Sequence, residues 1–158
     1  MPAIQSGDCY FVNNLAWNFS TPTAATIIQI KAVSPTPIAI IRASITQRGS
    51  ITNVQDRVQL GRITTTFSTV TSFTPLKVDT AAPASASVGG TAATGIIGTA
   101  EGTVVDILVD EGFSVLNGFL WLPTPQEYIT INPGEAIVMK FPVAPSVQVW
   151  NARINWLE

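Results

Sequence analysis

Histidine is missing from this chain of 158 residues, and cysteine occurs once, at Cys9. A serine or cysteine nucleophile needs a base, which is most often histidine, so this absence excludes a standard catalytic triad. Structural zinc sites are built from Cys and His, so zinc is not expected either. A lone cysteine cannot form an internal disulfide, and Cys9 is expected to be a small buried hydrophobic residue. The sequence therefore predicts a protein that is not an enzyme and that needs no cofactor.

Charged residues are also scarce. They make up 11% of the chain, whereas about 25% is typical of a soluble protein. A monomer with so few charges leaves much of its surface apolar, and such surfaces usually meet another chain. The eight basic residues are spread thinly and the net charge is −2, so nucleic acid is not expected as a partner. No apolar run approaches the roughly 20 residues that span a bilayer, and the first residues lack a secretion signal, so no membrane is expected.

What the chain does contain is Ile and Val set among Thr and Ser, in short runs that alternate between apolar and polar residues. No window has an apolar stripe at helical spacing. The runs are 9–17, 25–33, 38–47, 57–66, 103–109, 113–122, 128–131, 136–141 and 147–157. Eight or nine short strands without a helix predict an all-β fold, a two-sheet antiparallel sandwich of the jelly-roll type. We assign residues 25–158 to this domain and residues 1–24 to an N-terminal arm or edge strand.

Turn residues separate several of these runs. Asp110-Glu111-Gly112 predicts a turn, and Asn132-Pro133-Gly134 predicts a hairpin between the two runs that flank it. Asn117-Gly118 fits a hairpin or a bend equally well. The last run changes its apolar face near Val149 and Trp150, which predicts a β-bulge.

A long stretch of small residues interrupts the strands. Residues 79–102 are rich in Ala, Gly, Ser and Thr, and they predict a long loop of the size that is usually functional or poorly ordered. The glycines lack the spacing of phosphate-binding loops, so a flexible loop is the better interpretation. The preceding residues 67–78 are extended and rich in Thr, and their partner is left open.

The densest acidic group is Asp106, Asp110 and Glu111. Together with backbone carbonyls these carboxylates could bind Ca²⁺, since hard cations prefer oxygen ligands. Their spacing does not match an EF-hand loop, and a turn with exposed acids accounts for them more simply. No metal is therefore predicted.

A second group of charges is concentrated in a short stretch, at Arg48, Asp56, Arg57 and Arg62. These residues are either solvated at strand ends or paired within or between subunits. The four tryptophans lie among alternating apolar residues, so packing in the core or between subunits is favoured over stacking on sugars. They are Trp17, Trp121, Trp150 and Trp156.

Several segments taken together resemble a known group of proteins. ASITQRG and QDRVQLGR, then FTPLKV, a small-residue loop ending in AEG, VLNGFLWLPTPQEYITINPGEAIVMKF and a closing WLE follow one another in this chain. They resemble the small jelly-roll proteins encoded among the head genes of tailed bacteriophages, some of which are head decoration, or cement, proteins. The resemblance covers the chain from about Ile38 onward, and it is a pattern of turns and strands rather than a signature motif.

The resemblance implies a homotrimer on the outer capsid surface of the virion, assembled in the host cytoplasm, which braces neighbouring subunits of the major capsid protein. It brings no catalytic residues with it. The N-terminal segment matches less well, but Phe11, Trp17 and Phe19 offer an apolar edge that could add to a neighbour's sheet. We therefore predict partner-binding roles for these three residues and for Arg48, Asp56, Arg57 and Arg62.

One alternative belongs to a different class of function. A jelly-roll module of a phage tail fibre or baseplate would bind a receptor or a carbohydrate, using the loop 79–102 and an exposed tryptophan for the contact.

Overall fold

The structure is a computed structural model that describes residues 7–18, 25–33, 35–49, 53–68, 70–91, 102–146 and 149–158. The described residues form twelve strands and one 3-10 helix, Pro125–Glu127. The strands are β1 (Cys9–Asn18), β2 (Ala25–Lys31), β3 (Ile38–Arg48), β4 (Gln55–Ile63), β5 (Thr71–Ser72), β6 (Leu76–Lys77), β7 (Val88–Thr91), β8 (Asp106–Ser114), β9 (Phe119–Trp121), β10 (Ile129–Ile131), β11 (Ala136–Phe141) and β12 (Val149–Leu157).

Eight of these strands have the order of a jelly roll. Sheet A contains β1, β12, β3 and β9 as successive neighbours, and sheet B contains β2, β11, β4 and β8. All of these pairs are antiparallel, and the chain crosses repeatedly from one sheet to the other. The predicted all-β sandwich of jelly-roll type is therefore confirmed.

The core lies between the two sheets and is built from the inward side chains of both. Sheet A contributes Tyr10 and Trp156, which are stacked with ring centroids 6.1 Å apart. Trp150, also from sheet A, packs against Phe141 of sheet B with centroids 5.3 Å apart. Alternation along each strand sends these residues inward because successive side chains point to opposite faces. Their burial supplies the main driving force for folding.

The long connection between β4 and β8 extends both sheets. Within it, β6 pairs with β1 in sheet A, while β7 pairs with β2 and β5 pairs with β7 in sheet B. The prediction of one long loop over 79–102 is therefore wrong at β7, and residues 92–101 lie outside the described part. Strand β7 was not predicted from the sequence, because its residues Val88, Gly89, Gly90 and Thr91 lack an alternating apolar pattern. Gly89 fits because a Cβ there would be 2.0 Å from the backbone oxygen of Gln29.

Two predicted turns are corners that lead the chain from one sheet to the other. Asn132-Pro133-Gly134 joins β10 in sheet A to β11 in sheet B, so the hairpin predicted there is wrong. Asn117-Gly118 lies between β8 in sheet B and β9 in sheet A, so it is a bend rather than a hairpin. The same turn residues serve both purposes, because a tight turn reverses or redirects the chain without choosing which strand pairs next.

Strand β8 runs through a segment that was predicted to be a turn. Asp110, Glu111 and Gly112 pair with Gln59, Val58 and Arg57 of β4, so the turn predicted there is wrong. The polar residues of an exposed edge strand have the same composition as a turn. Pairing with β4 therefore decides the structure where local composition does not.

The bulge predicted near Val149 and Trp150 is not found in the described part of β12, where these two residues pair in register with both neighbouring strands, and residues 147–148 lie outside the described part. Register shifts occur instead in the strands on either side of β12. Trp150, Ala152, Ile154 and Trp156 all face the core in regular alternation. The pairing with β1 shifts between Asn14 and Trp17, and the pairing with β3 shifts beside Asn155 and Trp156. Each shift gives the neighbouring strand one extra residue, which keeps the apolar faces in phase.

A strap of chain around Ser68 crosses the outer face of sheet B. The backbone N–H of Ser68 donates to Oε1 of Gln29 at 2.8 Å, and its hydroxyl lies 3.0 Å from the hydroxyl of Thr26. The backbone N–H of Gly102 donates to the Ser68 hydroxyl at 2.9 Å. Thr26, Gln29 and Ser68 are all buried, so these hydrogen bonds satisfy polar groups that would otherwise be costly to bury.

The carboxylate of Glu158 connects the end of sheet A to the segment that leads into β7. It accepts hydrogen bonds from the hydroxyls of Ser85 and Ser87 at 2.5 Å each and from the backbone N–H of Ala86 at 2.9 Å. The indole Nε1 of Trp156 donates to the same carboxylate at 3.0 Å. We call this arrangement the Glu158 clamp. It holds the two sheets together at one edge of the sandwich.

Replacing Gly118 by alanine is expected to destabilise the corner before β9 by about 1–2 kcal/mol. Gly118 has φ +70°, and a Cβ there would be 2.7 Å from the backbone oxygen of Ile45. Gly134→Ala is the matched control, since Gly134 also has positive φ, +91°, but no atom lies within 4 Å of its Cβ position. Urea unfolding of both variants measures the difference. Equal losses of stability would contradict the close approach.

Candidate functional site

Charge is divided unequally between the two sheets. The strands of sheet B carry four basic and four acidic residues: Lys31, Arg57, Arg62, Lys140, Asp56, Asp106, Asp110 and Glu111. The strands of sheet A carry four basic residues and no acidic one: Arg42, Arg48, Lys77 and Arg153. These two sets include all eight basic residues of the chain. The strands of sheet A therefore carry only positive charge, in a protein whose net charge is negative.

The outer face of sheet A presents its polar side chains in rows across three strands. One row contains Phe11, Asn155 and Arg42 of β1, β12 and β3, and the next contains Asn13, Arg153 and Ser44. Residues directly opposite in antiparallel strands point to the same face. Successive rows are about 7 Å apart, since each residue advances a strand by roughly 3.3 Å. Arg42 and Arg153 are thus diagonal neighbours.

Arg153 is held in place by its neighbours on this face. Its guanidinium carbon lies 4.1 Å from the centre of the Phe11 ring, a cation–π contact, and its Nε donates to Oδ1 of Asn155 at 2.8 Å. Burial and the positive charge of Arg42 both lower the pKa of Arg153. Arg42 itself is exposed. We call Arg42, Arg48, Arg153, Phe11 and Asn155 the arginine face.

In sheet B the charges pair with one another. Arg57 binds the Asp110 carboxylate with two nitrogens, and this contact holds the pKa of Asp110 below its ordinary value. Arg62 lies 2.9 Å from Asp106 and 3.7 Å from Glu135. The sequence left open whether these charged residues are solvated or paired. For Arg57 and Arg62 the structure shows ion pairs within the subunit.

Asp56 and Arg48 complete the charged group predicted from the sequence. The Asp56 carboxylate accepts hydrogen bonds from the backbone N–H of Ser146 at 3.2 Å and from its hydroxyl at 2.6 Å. Arg48 is exposed at the end of β3, opposite Val149 on the outer face of sheet A. The sequence cluster is thus split, with Arg48 on sheet A and the other three residues on sheet B.

The acidic group considered for calcium does not form a metal site in the described part of the chain. Asp106 and Asp110 point to Arg62 and Arg57. No set of three or more His, Cys, Asp or Glu side chains is placed to hold a metal among the residues that the structure describes.

Among the residues that the structure describes, the longest free edge of the sandwich is β8. The described strands at the other edges, β5, β6, β9 and β10, have only two or three residues each. β6 leaves residues 12–18 of β1 uncovered, whereas β8 is open over all nine of its residues. Two large aliphatic side chains near its start are exposed, Val105 at 56% and Ile107 at 58%. Natural proteins usually keep edge strands short, because an open strand can pair with another chain.

The predicted N-terminal edge is only partly described. Residues 9–18 of the segment assigned to an arm form β1, which pairs with β12 along its length and with β6 only at Tyr10 and Phe11. Phe11 lies on the arginine face, and Leu15 is 66% exposed. Trp17 lies opposite Trp150 in the strand register, while its side chain and the whole of Phe19 lie outside the described residues. Cys9 is half-buried rather than buried, and burial raises the pKa of its thiol.

The tryptophans that the structure describes belong to the interior. Trp150 and Trp156 are completely buried, and Trp121 is partly buried against the same core. Core packing is therefore confirmed for these three side chains. A glycan-binding surface built on an exposed tryptophan has no support from them.

Sequence reasoning missed the importance of Arg42, Arg153 and Asn155. They are far apart in the chain, and only the pairing of β3 with β12 brings them together. The available signal was the absence of Asp and Glu from residues 9–18, 38–48 and 149–157. It becomes informative once these segments are known to be neighbours.

Within the described residues, no helix is long and apolar enough to cross a membrane. Comparison of the chain with protein-family models, with curated proteins and with solved structures gives no significant match in any of the three.

Proposed function

We propose that this chain is a non-enzymatic structural protein of a virus particle, a decoration or cement protein that binds the outer capsid surface and stabilises contacts between major capsid subunits. The viral assignment rests on the segments that resemble phage head proteins. The observation that carries the adhesive role is the nine-residue free edge of β8 with its exposed aliphatic side chains. An edge of this length can gain main-chain hydrogen bonds by adding a strand from another subunit.

The side chains of the β8 edge favour pairing with a strand of another subunit. Asp106 and Asp110, on either side of Ile107, are paired with Arg62 and Arg57 of β4, while Glu111 further along β8 is exposed. Ile107 itself is exposed. Edge strands that protect themselves against association usually present unpaired charges, above all Lys. The β8 edge therefore suits contact with another subunit, either in a homotrimer or on the capsid.

Binding to many equivalent sites would stabilise the capsid by mass action. A protein that binds only the assembled lattice stabilises it by about 2.7 kcal/mol per site when its free concentration is a hundredfold above Kd. Each contact therefore needs only moderate affinity, because the sites repeat over the whole shell.

We expect light scattering after size-exclusion chromatography to give three times the chain mass of 16.8 kDa. We also expect the protein to sediment with expanded capsids of the parent virus and to raise their melting temperature. A strictly monomeric protein that fails to bind these capsids would refute the proposal.

A pair of matched variants tests the β8 edge itself. Ile107→Lys places a charge on the edge, and we expect it to abolish trimer formation or capsid binding. Val88→Lys is the control. Val88 is similarly exposed, at 52%, and belongs to the same sheet, but it lies on β7, which three strands (β2, β11 and β4) separate from β8. Both variants should keep the wild-type melting temperature. Equal association by the two variants would show that β8 is not the contact edge.

A further inference from the structure

We propose that the arginine face is a docking surface for a protein partner whose contact surface carries carboxylates. This proposal rests on the proposed function in one respect, that the natural partner would be the capsid surface. The chemistry of the surface itself does not depend on that role.

The first support is the position of the arginines. Arg42, Arg153 and Arg48 lie on one outer face, on rows that extend over about 20 Å, the length of six residues of a strand. The six strands of this sheet contain no acidic residue. Elsewhere in the molecule arginine has a carboxylate partner, as Arg57 and Arg62 do. The charges of the arginine face are thus left for a group outside the described chain.

The second support is the order already present on this face. Arg153 is fixed by the Phe11 ring and by Asn155, although burial and the positive charge of Arg42 both lower its pKa. Like charges held together on a surface are unfavourable until an anion lies between them. A guanidinium already oriented by its neighbours loses little side-chain entropy when it binds a carboxylate with two hydrogen bonds. The surface is therefore prepared for an anionic partner.

The chain as a whole favours an acidic protein over nucleic acid. Its net charge is −2 and its pI is about 5.0, so it lacks the overall positive charge that is typical of nucleic-acid-binding domains. Nucleic-acid-binding proteins often neutralise about 6–10 phosphates, whereas this face has three arginines. Among the other residues of the face are amides and hydroxyls, Asn13, Ser44 and Thr46, together with the exposed Leu120. Such a mixture is typical of protein–protein contacts.

The test uses a six-residue glutamate peptide as the carboxylate probe, followed by NMR of the ¹⁵N-labelled protein at low salt. We expect shifts at the side-chain Nε–Hε groups of Arg42, Arg48 and Arg153 and at the amides of β3 and β12. A glutamine peptide of the same length should cause none. Shifts centred on Lys31 and Lys140, or no shifts, would overturn the proposal. Tighter binding of a short DNA duplex at the same ionic strength would also overturn it.

Matched variants provide the second measurement. Arg42→Gln with Arg48→Gln, and Lys31→Gln with Lys140→Gln, both change the net charge from −2 to −4 by removing two of the eight basic residues. We expect the arginine pair to weaken binding of the glutamate peptide about five- to tenfold and the lysine pair less than about twofold. Equal losses would show a general effect of charge and would overturn the proposal.

Capsid sedimentation separates this proposal from the proposed function. Wild-type protein that binds the glutamate peptide at the arginine face but not capsids would refute the capsid role and leave the docking surface supported. Capsid binding that is unchanged in the arginine pair, with no peptide shifts, would refute the docking surface and leave the capsid role supported.

Discussion

Replacing Trp150 by alanine is expected to lower the free energy of unfolding by about 3–5 kcal/mol, the largest effect of any single change considered for this protein. Trp150 is completely buried, and its ring packs against Phe141 at 5.3 Å and Phe113 at 6.0 Å between centroids. These partners belong to β11 and to the end of β8, so the indole joins sheet A to sheet B. Alanine would leave a cavity that the rigid strands around it cannot close.

A second substitution separates the size of the ring from its polar group. The indole Nε1 of Trp150 is buried without a hydrogen-bond partner among the described residues, whereas Nε1 of Trp156 donates to Glu158. Trp150→Phe should therefore cost clearly less than Trp150→Ala, because phenylalanine keeps most of the apolar contact and removes an unpaired donor. Trp156→Phe loses a hydrogen bond and should cost more than Trp150→Phe.

Urea unfolding followed by fluorescence and circular dichroism measures all three variants. Leu122→Ala is the control for exposed residues, since Leu122 is 68% exposed and should change stability by less than about 0.5 kcal/mol. A loss below about 1 kcal/mol for Trp150→Ala would contradict its place between the sheets, because buried aromatic residues normally cost several times as much.

Replacing Glu158 by alanine is expected to cost about 1.5–3 kcal/mol at neutral pH, the range typical of hydrogen bonds to a charged group. The substitution removes the acceptor for Ser85, Ala86, Ser87 and Trp156 at once. Because the clamp is partly exposed, water replaces some of these hydrogen bonds in the variant. The loss of stability is therefore well below the sum of the contributions of the individual hydrogen bonds. Faster hydrogen exchange in residues 83–91 should accompany the loss of stability.

The clamp also predicts how stability depends on pH. Burial raises the pKa of Glu158, but hydrogen bonds from Ser85, Ser87, Trp156 and Ala86 outweigh it and the pKa is lowered overall. A group whose pKa is lower in the folded state stabilises the fold above its unfolded pKa, about 4.3 for Glu, and loses that contribution as the pH falls through the folded value. The difference in stability between wild type and Glu158→Gln should therefore shrink as the pH falls below 4.

Glu111→Gln is the control for the pH series, since Glu111 is an exposed carboxylate on β8. Its stability should follow that of the wild type at every pH. A constant difference between wild type and Glu158→Gln from pH 7 to pH 2 would show that the carboxylate charge of Glu158 does not stabilise the clamp.

The strands that the sequence predicted well are those whose two faces differ in polarity. In residues 25–33, Ile28, Ile30 and Ala32 were expected on one face, and all three are completely buried. The same is true of Trp150 and Trp156 in the last strand. Alternation reports burial directly, because a side chain's face follows from its position in the strand.

Connections between strands were predicted less well, because pairing is decided far away in the chain. Asn132-Pro133-Gly134 has the composition of a hairpin turn, yet the strands on its two sides belong to different sheets. β10 pairs with β3, and β11 pairs with β2 and β4, because this pairing buries the apolar face of each strand. The residues of the turn do not indicate this choice. Local rules therefore locate a turn without saying what it connects.

The charged residues of the candidate site could likewise not be grouped correctly from local sequence. Arg48, Asp56, Arg57 and Arg62 are neighbours in the sequence, but β3 and β4 belong to opposite sheets, so the group does not form one surface. Arg42 and Arg153 are 111 residues apart, and the pairing of β3 with β12 makes them neighbours. A charge pattern on a sheet is a property of several segments, and it becomes visible only after they have paired.

The place of β12 in the middle of sheet A has a consequence for synthesis of the protein. β12 is the last of the described strands, and it pairs with β1 on one side and with β3 on the other. While the chain is growing, β1 and β3 have no central strand to join them, and their apolar faces stay open on the ribosome. Sheet A can therefore be completed only after residue 157 has been synthesised, and its folding depends on pairing between segments more than 100 residues apart, which is slow because a long loop must close first.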